Sequence, residues 1–522
     1  MVFWVLAALL VAVIYYANQY FFSYWKRLGV PQQDAPTFLF GDIADIFFGG
    51  KKSIGVTFLE FYNRFKHNKI HGLYFSYRPS LIVNDPEVIQ EVIIKDFSSF
   101  HDRGMFVDAE VDPLSAHLFS LSGQKWRDLR VKVSPTFTSG KLKVMYPTIR
   151  DCAKTLQDHL AKNAQNVKCY EFDSRDLFAR FTTTVISSVA FGIENDCIND
   201  RDNIFRKMGE RIFERNWKEK LVQIISLFTP KILEKLKIKR ISQEMEDFFM
   251  SVVRDSIDLR EKGGSSAQRK DFMQLMIQLK NQGYVSVDKN EEHEVQKQKS
   301  SEMKKLTIDE IAAQAFVFFV AGFETSSSTM NFCMYELSKN PDIQRKVHEE
   351  LDNTWKSGDM NDLTYDVLGS MKYLDWCVDE TLRKYPIVPF LNRESTRDHQ
   401  FSGTNMKIEK GILITIPVLG IHRDPEIYDS PMEFRPERFE NSSTGNPNVR
   451  GVCYMPFGDG PRSCVGARMG KLQTKIGLAA ILQKYKFEFV DQSLLHKEIT
   501  EFYPAQIILT PKTNFMLRAT TR

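Results

Sequence analysis

A single cysteine near the C-terminal end of the chain lies in a loop whose composition suits a metal ligand. Residues 457–466 form the segment FGDGPRSCVG, and helix-forming sequence follows directly. Glycines let the backbone adopt positive φ or approach a flat ligand closely. Cys464 precedes a helix N-terminus, where the helix dipole favours a thiolate. An anionic sulfur in such a loop suits the proximal side of a haem iron, whereas the alternative is a buried structural cysteine after a glycine-rich turn.

A second group of residues that could take part in chemistry lies inside a long predicted helix. Thr307 and Glu310 form a capping-box pattern, and periodic apolar sequence then continues to Lys339, where Asn340-Pro341 ends it. Within this helix, residues 321–325 are AGFET, which place an acid and an alcohol in an otherwise apolar wall. The glycine in this segment indicates either close helix packing or room for a diatomic ligand.

Two further pairs are ambiguous on their own. Trp126 and Arg130 are four residues apart on a predicted helix, so an indole N–H and a guanidinium share one face and suit carboxylates. Taken alone, this pair indicates packing plus a solvated arginine. Glu380 and Arg383 are three residues apart, a spacing that is usually found in surface ion pairs.

These motifs, in their order along the chain, resemble those of the cytochrome P450 superfamily. The segment 457–466 matches the haem-binding loop of that superfamily at each fixed position. The resemblance implies haem b as the cofactor, with Cys464 as the axial ligand of the iron. The other residues that it assigns to haem binding are Trp126, Arg130, Arg393, Arg462, Phe457, Gly458 and Gly466.

The resemblance also implies roles around the haem. Glu324 and Thr325 are expected to deliver protons on the distal side. Glu380, Arg383 and Arg438 are expected to form a buried structural network behind the cysteine loop. The side chains expected to line the substrate pocket are Phe106, Phe119, Phe316, Phe319, Val388, Phe390 and Phe502.

The implied activity is that of a monooxygenase. Residues 136–141 look closest to the insect microsomal branch, which handles foreign compounds such as insecticides and plant products. We therefore expect oxidation of lipophilic small molecules with O2, with hormones or fatty acids as further candidate substrates. No flavin or nicotinamide motif is visible, so NADPH–cytochrome reductase is the expected electron donor, and cytochrome b5 is a further candidate partner. A haem-thiolate isomerase or dehydratase, and a haem-binding protein without turnover, stay open as alternatives.

The N-terminus predicts a membrane anchor. Residues 2–17 are all apolar or aromatic, and the first basic residues of the chain are Lys26 and Arg27. At about 1.5 Å per helical residue, residues 2–25 span roughly 36 Å, enough for a bilayer core. Tyr20 and Trp25 suit the interfacial belt. A cleaved signal peptide is the alternative, but no basic residue precedes the run and no clear cleavage site follows it.

The predicted organisation is an anchor at 1–25, a proline-containing connector at 26–36 and a haem-binding domain at 37–522. The endoplasmic reticulum membrane is the expected location, with the domain facing the cytosol. The resemblance implies a mainly α fold, a triangular prism with a small β region. The net charge of +4 is too balanced to favour nucleic acid as a partner.

Local patterns predict several other elements. Residues 72–83 alternate as in a β-hairpin, 97–121 form a long loop, and 143–260 have helical periodicity. Residues 205–239 are predicted to touch the membrane or to roof a cavity, with an ordinary soluble helix as the equal alternative. A basic docking patch on the proximal side is expected from Lys125, Arg127, Lys132 and Lys475, with a scattered solvated surface as the alternative.

Overall fold

The fold is mainly helical. The computed structural model describes residues 1–33, 36–38, 40–44, 52–164, 169–213, 219, 222, 235–264, 269–285, 304–404, 406–444, 452–504 and 506–522. The α-helices described there are α1 (Val2–Phe21), α2 (Tyr24–Arg27), α3 (Ile54–Phe65), α4 (Pro86–Gln90), α5 (Gly123–Val133), α6 (Ser139–Ala164), α7 (Ser174–Ile186), α8 (Ile204–Phe213), α9 (Gln243–Lys262), α10 (Phe272–Asn281), α11 (Ile308–Lys339), α12 (Pro341–Thr354), α13 (Tyr365–Ser370), α14 (Lys372–Lys384), α15 (Val418–His422) and α16 (Ala467–Leu482).

The β-structure forms small sheets. Its strands are β1 (Ile70–Phe75), β2 (Arg78–Val83), β3 (Cys169–Asp173), β4 (Leu391–Glu394), β5 (His399–Gln400), β6 (Lys407–Ile408), β7 (Leu413–Ile416), β8 (Tyr485–Phe489) and β9 (Met516–Thr521). The largest sheet has the order β1-β2-β7-β4, and its β2–β7 pair is parallel. A second sheet has the order β3-β9-β8, and β5 pairs with β6.

Helix α11 runs through the main hydrophobic core, because most of its residues beyond the first turn are buried. Its start has the predicted capping box: the Glu310 N–H donates to Thr307 Oγ1 (3.1 Å), and the Thr307 N–H donates to Glu310 Oε2 (2.8 Å). Helix α16 packs against α11, and Gln473 Nε2 donates to the Gly322 carbonyl (3.4 Å). These two helices therefore hold together the two segments that the sequence singled out for chemistry.

Helix α1 is the part of the described chain that is long and apolar enough to cross a membrane. It ends at Phe21, earlier than the predicted anchor. Trp25 is not at an interface, as the sequence had suggested, but fully buried: its Nε1 donates to the Leu73 carbonyl (3.0 Å). A Cβ on Gly72 would lie 2.4 Å from the Trp25 ring, so the indole occupies the place of a missing side chain. This tryptophan thus attaches α2, the short helix that follows α1, to the first sheet.

Several predicted elements are present. β1 and β2 form the expected antiparallel hairpin, and residues 97–121 are largely irregular, with short 3₁₀ turns. In the described part of 143–260 the predicted helices are found, but this region also contains β3, which the helical periodicity did not indicate. Its partner β9 lies at the other end of the chain, so local sequence carries little sign of the pairing. Most of the predicted membrane-contacting stretch, 214–218, 220–221 and 223–234, lies outside the described residues.

Candidate functional site

The cysteine loop is closed by its own backbone. The Cys464 N–H donates to the Phe457 carbonyl (2.8 Å), and the Ser463 N–H donates to the Gly460 carbonyl (3.0 Å). Gly460 has φ +68°, and a Cβ there would lie 2.0 Å from the carbonyl oxygen of Ile93. Gly458 also has positive φ (+69°). Gly466 has φ −91°, and a Cβ there would lie 3.9 Å from Phe137, the nearest protein atom, so the protein leaves room for a side chain. The turn therefore requires glycine at 460 above all.

Cys464 has accessible side-chain surface although the surrounding protein desolvates its sulfur, and the open space at this side chain is called the internal space below. Burial in the surrounding protein raises the pKa of its thiol. The Gly466 N–H, Arg130 and Arg103 act in the opposite direction and lower the pKa of Cys464. The expected helix-end preference for thiolate is thus outweighed by desolvation in the protein alone. A positive metal at the sulfur would reverse this balance, because a coordinating thiol is deprotonated outright.

The facing wall comes from the middle of α11. Ala321 is exposed although its helix neighbours Phe323 and Glu324 are buried. The contact of α16 with Gly322 brings this stretch beside the helix that follows Cys464. Gly322 itself packs closely on α7, since a Cβ there would lie 2.6 Å from Ile186 Cδ1. Close packing therefore explains the glycine where α11 meets α7. The neighbouring Ala321 is the residue of this segment with exposed surface.

Four arginines converge beside the cysteine loop, and one carboxylate accompanies them. Arg103 Nη2 donates to the Arg462 carbonyl (3.0 Å), and Arg462 Nη2 lies 3.4 Å from Asp102 Oδ1. Among the described residues, Asp102 is the carboxylate that forms an ion pair with any of Arg103, Arg130, Arg393 or Arg462.

The pKa values of these guanidinium groups reflect crowding of positive charge. Burial lowers the pKa of Arg393 to about 10. Burial, opposed by Asp102 and helped by Arg393 and Arg130, lowers the pKa of Arg462 to about 9. Burial and the other three arginines lower the pKa of Arg103. Arg393 is 2 % exposed and its Nε has no hydrogen-bond partner. A ligand with two negative charges fits this surplus, as the two propionates of haem do.

Trp126 and Arg130 lie where the sequence placed them, on one face of α5. Trp126 is buried, and the guanidinium carbon of Arg462 lies 3.9 Å from the centre of its ring. Arg130 Nη1 donates to the Ser463 carbonyl (2.9 Å), directly before the cysteine. Together with the arginine group, this arrangement fits a bound haem, although the role of each residue in binding it stays a prediction.

Glu324 and Thr325 lie in adjacent positions of α11. Thr325 Oγ1 donates to the Ala321 carbonyl (2.6 Å), so the hydroxyl lies beside the residue of this segment that has exposed surface. Glu324 is buried, and desolvation raises the pKa of its carboxyl, opposed by Arg175 and Arg206. An alcohol and a buried carboxyl with a raised pKa therefore lie in adjacent positions of α11.

Glu380, Arg383 and Arg438 are in direct contact. Arg383 Nε donates to Glu380 Oε2 (2.7 Å) and Arg438 Nε donates to Glu380 Oε1 (3.2 Å). The Arg435 N–H also donates to Glu380 Oε1 (3.0 Å). Both Glu380 and Arg383 are fully buried. Every charge in this group has partners, which suits a structural function.

Sequence reasoning missed two participants. Arg103 lies in the irregular segment 97–121, and the signal for it was a single basic residue in a loop with several apolar side chains. His422 joins α14 to the approach of the cysteine loop: its Nδ1 lies 3.2 Å from the Arg383 carbonyl, and its Nε2 accepts the Met455 N–H (3.0 Å). Burial lowers the pKa of His422 to about 3, so the ring is neutral.

The predicted pocket residues fall into separate groups. Phe316 and Phe319 lie on α11, each with its ring centre close to that of Phe249 (5.1 and 5.2 Å). The exposed Phe119 lies under the guanidinium of Arg103 (4.3 Å). The remaining positions are more dispersed: Phe106 lines a small pocket beside Arg240, Val388 is half-buried, Phe390 packs on Phe58 (5.0 Å) beside the first sheet, and Phe502 packs near Phe332 (6.4 Å).

The proximal basic patch is smaller than predicted. Lys475 is buried and paired with Asp375 (2.9 Å), so it is not available for docking. Lys132 donates to the Lys304 carbonyl. Lys125 and Arg127 remain exposed on α5.

Comparison with known proteins agrees with this site. The family model described as Cytochrome P450 matches residues 33–518. The chain is 42% identical over 469 residues to Probable cytochrome P450 6a14 of Drosophila melanogaster, covering 89% of each chain. It is 37% identical over 516 residues to Cytochrome P450 6a2 of the same species, covering 98% of this chain and 97% of the relative. It is 36% identical over 512 residues to Cytochrome P450 6A1 of Musca domestica, covering 97% and 96%.

The chain belongs to the cytochrome P450 family. It is accordingly a monooxygenase of the oxidoreductase class, and the family uses a haem with a cysteine thiolate as axial ligand. The expectations of a haem cofactor and of a mainly α fold with a small β part are confirmed.

Proposed function

We propose that this protein oxidises lipophilic small molecules, foreign compounds among them, with O2 and with electrons from NADPH–cytochrome reductase. The observation that carries the proposal is Cys464 in its closed loop beside four arginines, and the aromatic residues of α11 support an apolar substrate. Cytochrome b5 is a second candidate donor. We assign the exposed side chains of Lys125 and Arg127 to the docking surface for the electron donor. Both lie on α5, which packs beside the cysteine loop.

In this proposal Cys464 holds the haem iron through its thiolate. The two propionates are bound by Trp126 and by the arginines at positions 103, 130, 393 and 462. When bound, the haem supplies the iron at which O2 is reduced and from which one oxygen atom reaches the substrate. The protein contributes orientation: the closed loop fixes the sulfur, and the backbone N–H of Gly466 favours its anionic form.

Proton supply is assigned to Thr325 and Glu324. Because Thr325 Oγ1 donates its own hydrogen to the Ala321 carbonyl, its oxygen is left to accept a proton donor such as water. The raised pKa of Glu324 keeps a proton on the carboxyl closer to neutral pH, while Arg175 and Arg206 limit that shift. An apolar wall with one such relay admits protons and excludes bulk water.

The proposed substrate class follows from the lining. Phe316 and Phe319 belong to a cluster of rings with Phe191, Phe205 and Phe249, whose centres lie 5.1–6.2 Å apart. A pocket beside these rings would bind apolar molecules by burial and shape and would discriminate weakly among them, by about 1–3 kcal/mol per methylene. This suits broad oxidation of foreign compounds. Hormones and fatty acids meet the same chemical requirements.

We place the protein in the endoplasmic reticulum membrane through α1, with the catalytic part facing the cytosol. The exposed apolar surface of α1 and the basic residues that follow it support this orientation. The proposed division is an anchor within residues 1–25, of which α1 (Val2–Phe21) is the membrane-crossing part, a connector at 26–36 and a haem-binding domain at 37–522.

The test is reconstitution of the haem-loaded protein with NADPH–cytochrome reductase and a panel of lipophilic compounds. Substrate-dependent NADPH use with formation of hydroxylated or epoxidised product supports the proposal. Thr325→Ala should raise NADPH use per product formed, whereas Thr329→Ala, one turn later on α11, should leave this ratio unchanged. Turnover of organic peroxides without reductase, and no oxidation with it, would favour an isomerase or dehydratase.

A further inference from the structure

Three possible metal-binding side chains meet away from the cysteine loop. Glu91 begins a π-helical turn, Glu91–Lys95, and Asp96 follows its last residue. His399 lies on β5, more than three hundred positions later in the chain. One donor atom from each side chain lies within 4.8 Å of the other two. The three residues are referred to below as the Glu91 cluster.

The Glu91 cluster is partly built into the interior. Glu91 is 4 % exposed, and its carboxylate accepts the Ser402 N–H (3.1 Å) and lies 2.7 Å from His399 Nε2. The His399 ring is held between Phe100 (4.7 Å) and Phe401 (5.2 Å) in edge-to-face contacts. The imidazole and the buried carboxylate are therefore positioned by packing and by the backbone.

The charge in this cluster is incompletely balanced. Across the residues that the structure describes, no lysine or arginine forms an ion pair with Glu91 or Asp96, and the Asp96 carboxylate makes no hydrogen bond. The cluster brings two carboxylates together with one imidazole, and the carboxylate of Glu91 is buried. A buried carboxylate without a compensating charge is costly. A divalent cation would balance the charges of the Glu91 and Asp96 carboxylates.

We propose that the Glu91 cluster binds a divalent transition-metal ion of the Zn²⁺ type. One imidazole nitrogen and two carboxylate oxygens are a donor set that Zn²⁺ accepts, with water as the fourth ligand. Zinc ligands lie about 2.0–2.2 Å from the metal, which places tetrahedral donors roughly 3.3–3.5 Å apart. Glu91 and His399, now 2.7 Å apart, need to separate by less than about 1 Å, and Asp96 needs to approach by about 1.5 Å at most. Mg²⁺ is disfavoured, because it prefers oxygen ligands in octahedral geometry.

The ion would join the π-helical turn, which contacts the cysteine loop, to strand β5. The π-helical turn supplies the Ile93 carbonyl that closes on Gly460. Strand β5 follows the segment in which Arg397 Nε donates to Ser99 Oγ (2.7 Å). A metal between Glu91 and His399 would therefore brace the turn against which the cysteine loop rests.

The experiment uses the haem-loaded, full-length protein without a polyhistidine tag, after dialysis against a chelator. Zn²⁺ binding is titrated in competition with a chromophoric chelator, and zinc per haem is measured after gel filtration. We expect one zinc per haem in the wild type, unaffected by excess Mg²⁺. Asp96→Asn and His399→Gln should each weaken binding by at least about tenfold. Gln at 399 keeps a donor for Glu91, so the fold is retained.

The matched control is Asp398→Asn, which alters a neighbouring exposed carboxylate that pairs with Lys407 (3.7 Å) instead of facing the cluster. It should bind zinc as the wild type does. Equal binding in all four proteins, no binding in the wild type, or loss in only one of the two ligand variants would each overturn the site. Zinc-edge X-ray absorption of the wild type gives an independent check: nitrogen and oxygen neighbours support the proposal, and a sulfur neighbour at about 2.3 Å contradicts it.

Discussion

The guanidinium carbon of Arg462 lies 3.9 Å from the centre of the indole ring of Trp126. Two residues 336 positions apart in number, one on α5 and one in the cysteine loop, are thereby joined at the edge of the internal space. Within the described part of the chain, the Trp126 indole N–H has no protein acceptor, so it is free to donate to a carboxylate ligand. Trp126 therefore contacts the cysteine loop through its ring face and can bind a negatively charged group through its N–H.

Trp126→Phe should preserve the aromatic face under Arg462 and remove the N–H donor. A hydrogen bond to a charged group contributes about 1.5–3 kcal/mol, so haem loss should accelerate by roughly tenfold or more. The measurement is the rate of haem transfer to excess apomyoglobin. Trp376→Phe, on the half-exposed side of α14, is the control and should release haem at the wild-type rate. Equal rates in both variants would remove Trp126 from the propionate site.

Arg383→Met should leave the buried Glu380 carboxylate short of its main partner. Breaking a buried ion pair on one side costs about 3–5 kcal/mol. We expect a correspondingly lower midpoint of denaturant unfolding and reduced haem content after purification. Arg435→Met is the matched control, because Arg435 pairs with Asp429 (3.3 Å) at the surface and such pairs contribute about 1 kcal/mol or less. A similar loss in both variants would argue against a special role for the buried group.

Gly460→Ala should destabilise the cysteine loop. Its φ of +68° costs a residue with a side chain at least about 1–2 kcal/mol, and the new Cβ would meet the Ile93 carbonyl oxygen. The yield of the ferrous–CO complex should fall. Gly140→Ala, in the first turn of α6 with no atom within 4 Å of the new Cβ, should fold normally. Full retention of the complex in Gly460→Ala would show that the loop can relax away from Ile93.

The stability of the protein should depend on His422 in acid. Burial lowers the pKa of His422 in the fold from 6.5 to about 3, so between these values the unfolded chain binds a proton that the folded chain does not. Stability from this residue is therefore complete above the unfolded pKa and is lost as pH falls toward the folded one, by about 1.4 kcal/mol per pH unit.

His422→Gln should reduce that slope by about one proton, measured as the unfolding free energy at several pH values between about 4.5 and 6. The variant should also be less stable near neutral pH, because its contacts with Arg383 and Met455 are altered. An unchanged slope would mean that His422 is protonated in the fold as well.

The sequence-based prediction succeeded where a motif is compact and failed where a contact is distant. The cysteine loop, the capping box of α11 and the Glu380–Arg383 pair are set by residues a few positions apart, so spacing alone indicates the geometry. Arg103 meets the backbone of Arg462 across a separation of 359 residues, and no local pattern records such a contact. The resemblance to a family added what spacing did not, the partnership of Arg438 with Glu380.

The errors have physical causes too. Trp25 has the amphipathic character of an interfacial residue, but the missing side chain of Gly72 gives it a buried place. Lys475 has the charge of a docking residue, but Asp375 on α14 neutralises it inside the fold. The burial of Trp25 and of Lys475 depends on which elements pack together. Composition and periodicity describe each element separately, so they do not indicate this burial.

The central claim is that the sulfur of Cys464 binds the haem iron, and the absorption spectrum of the reduced CO complex tests it most directly. The wild type should show the strongly red-shifted Soret band that a thiolate ligand produces. Cys464→Ser should lose that band, and Cys453→Ser, which alters a buried cysteine shortly before the same loop, should keep it. Persistence of the red-shifted band in Cys464→Ser would contradict the account.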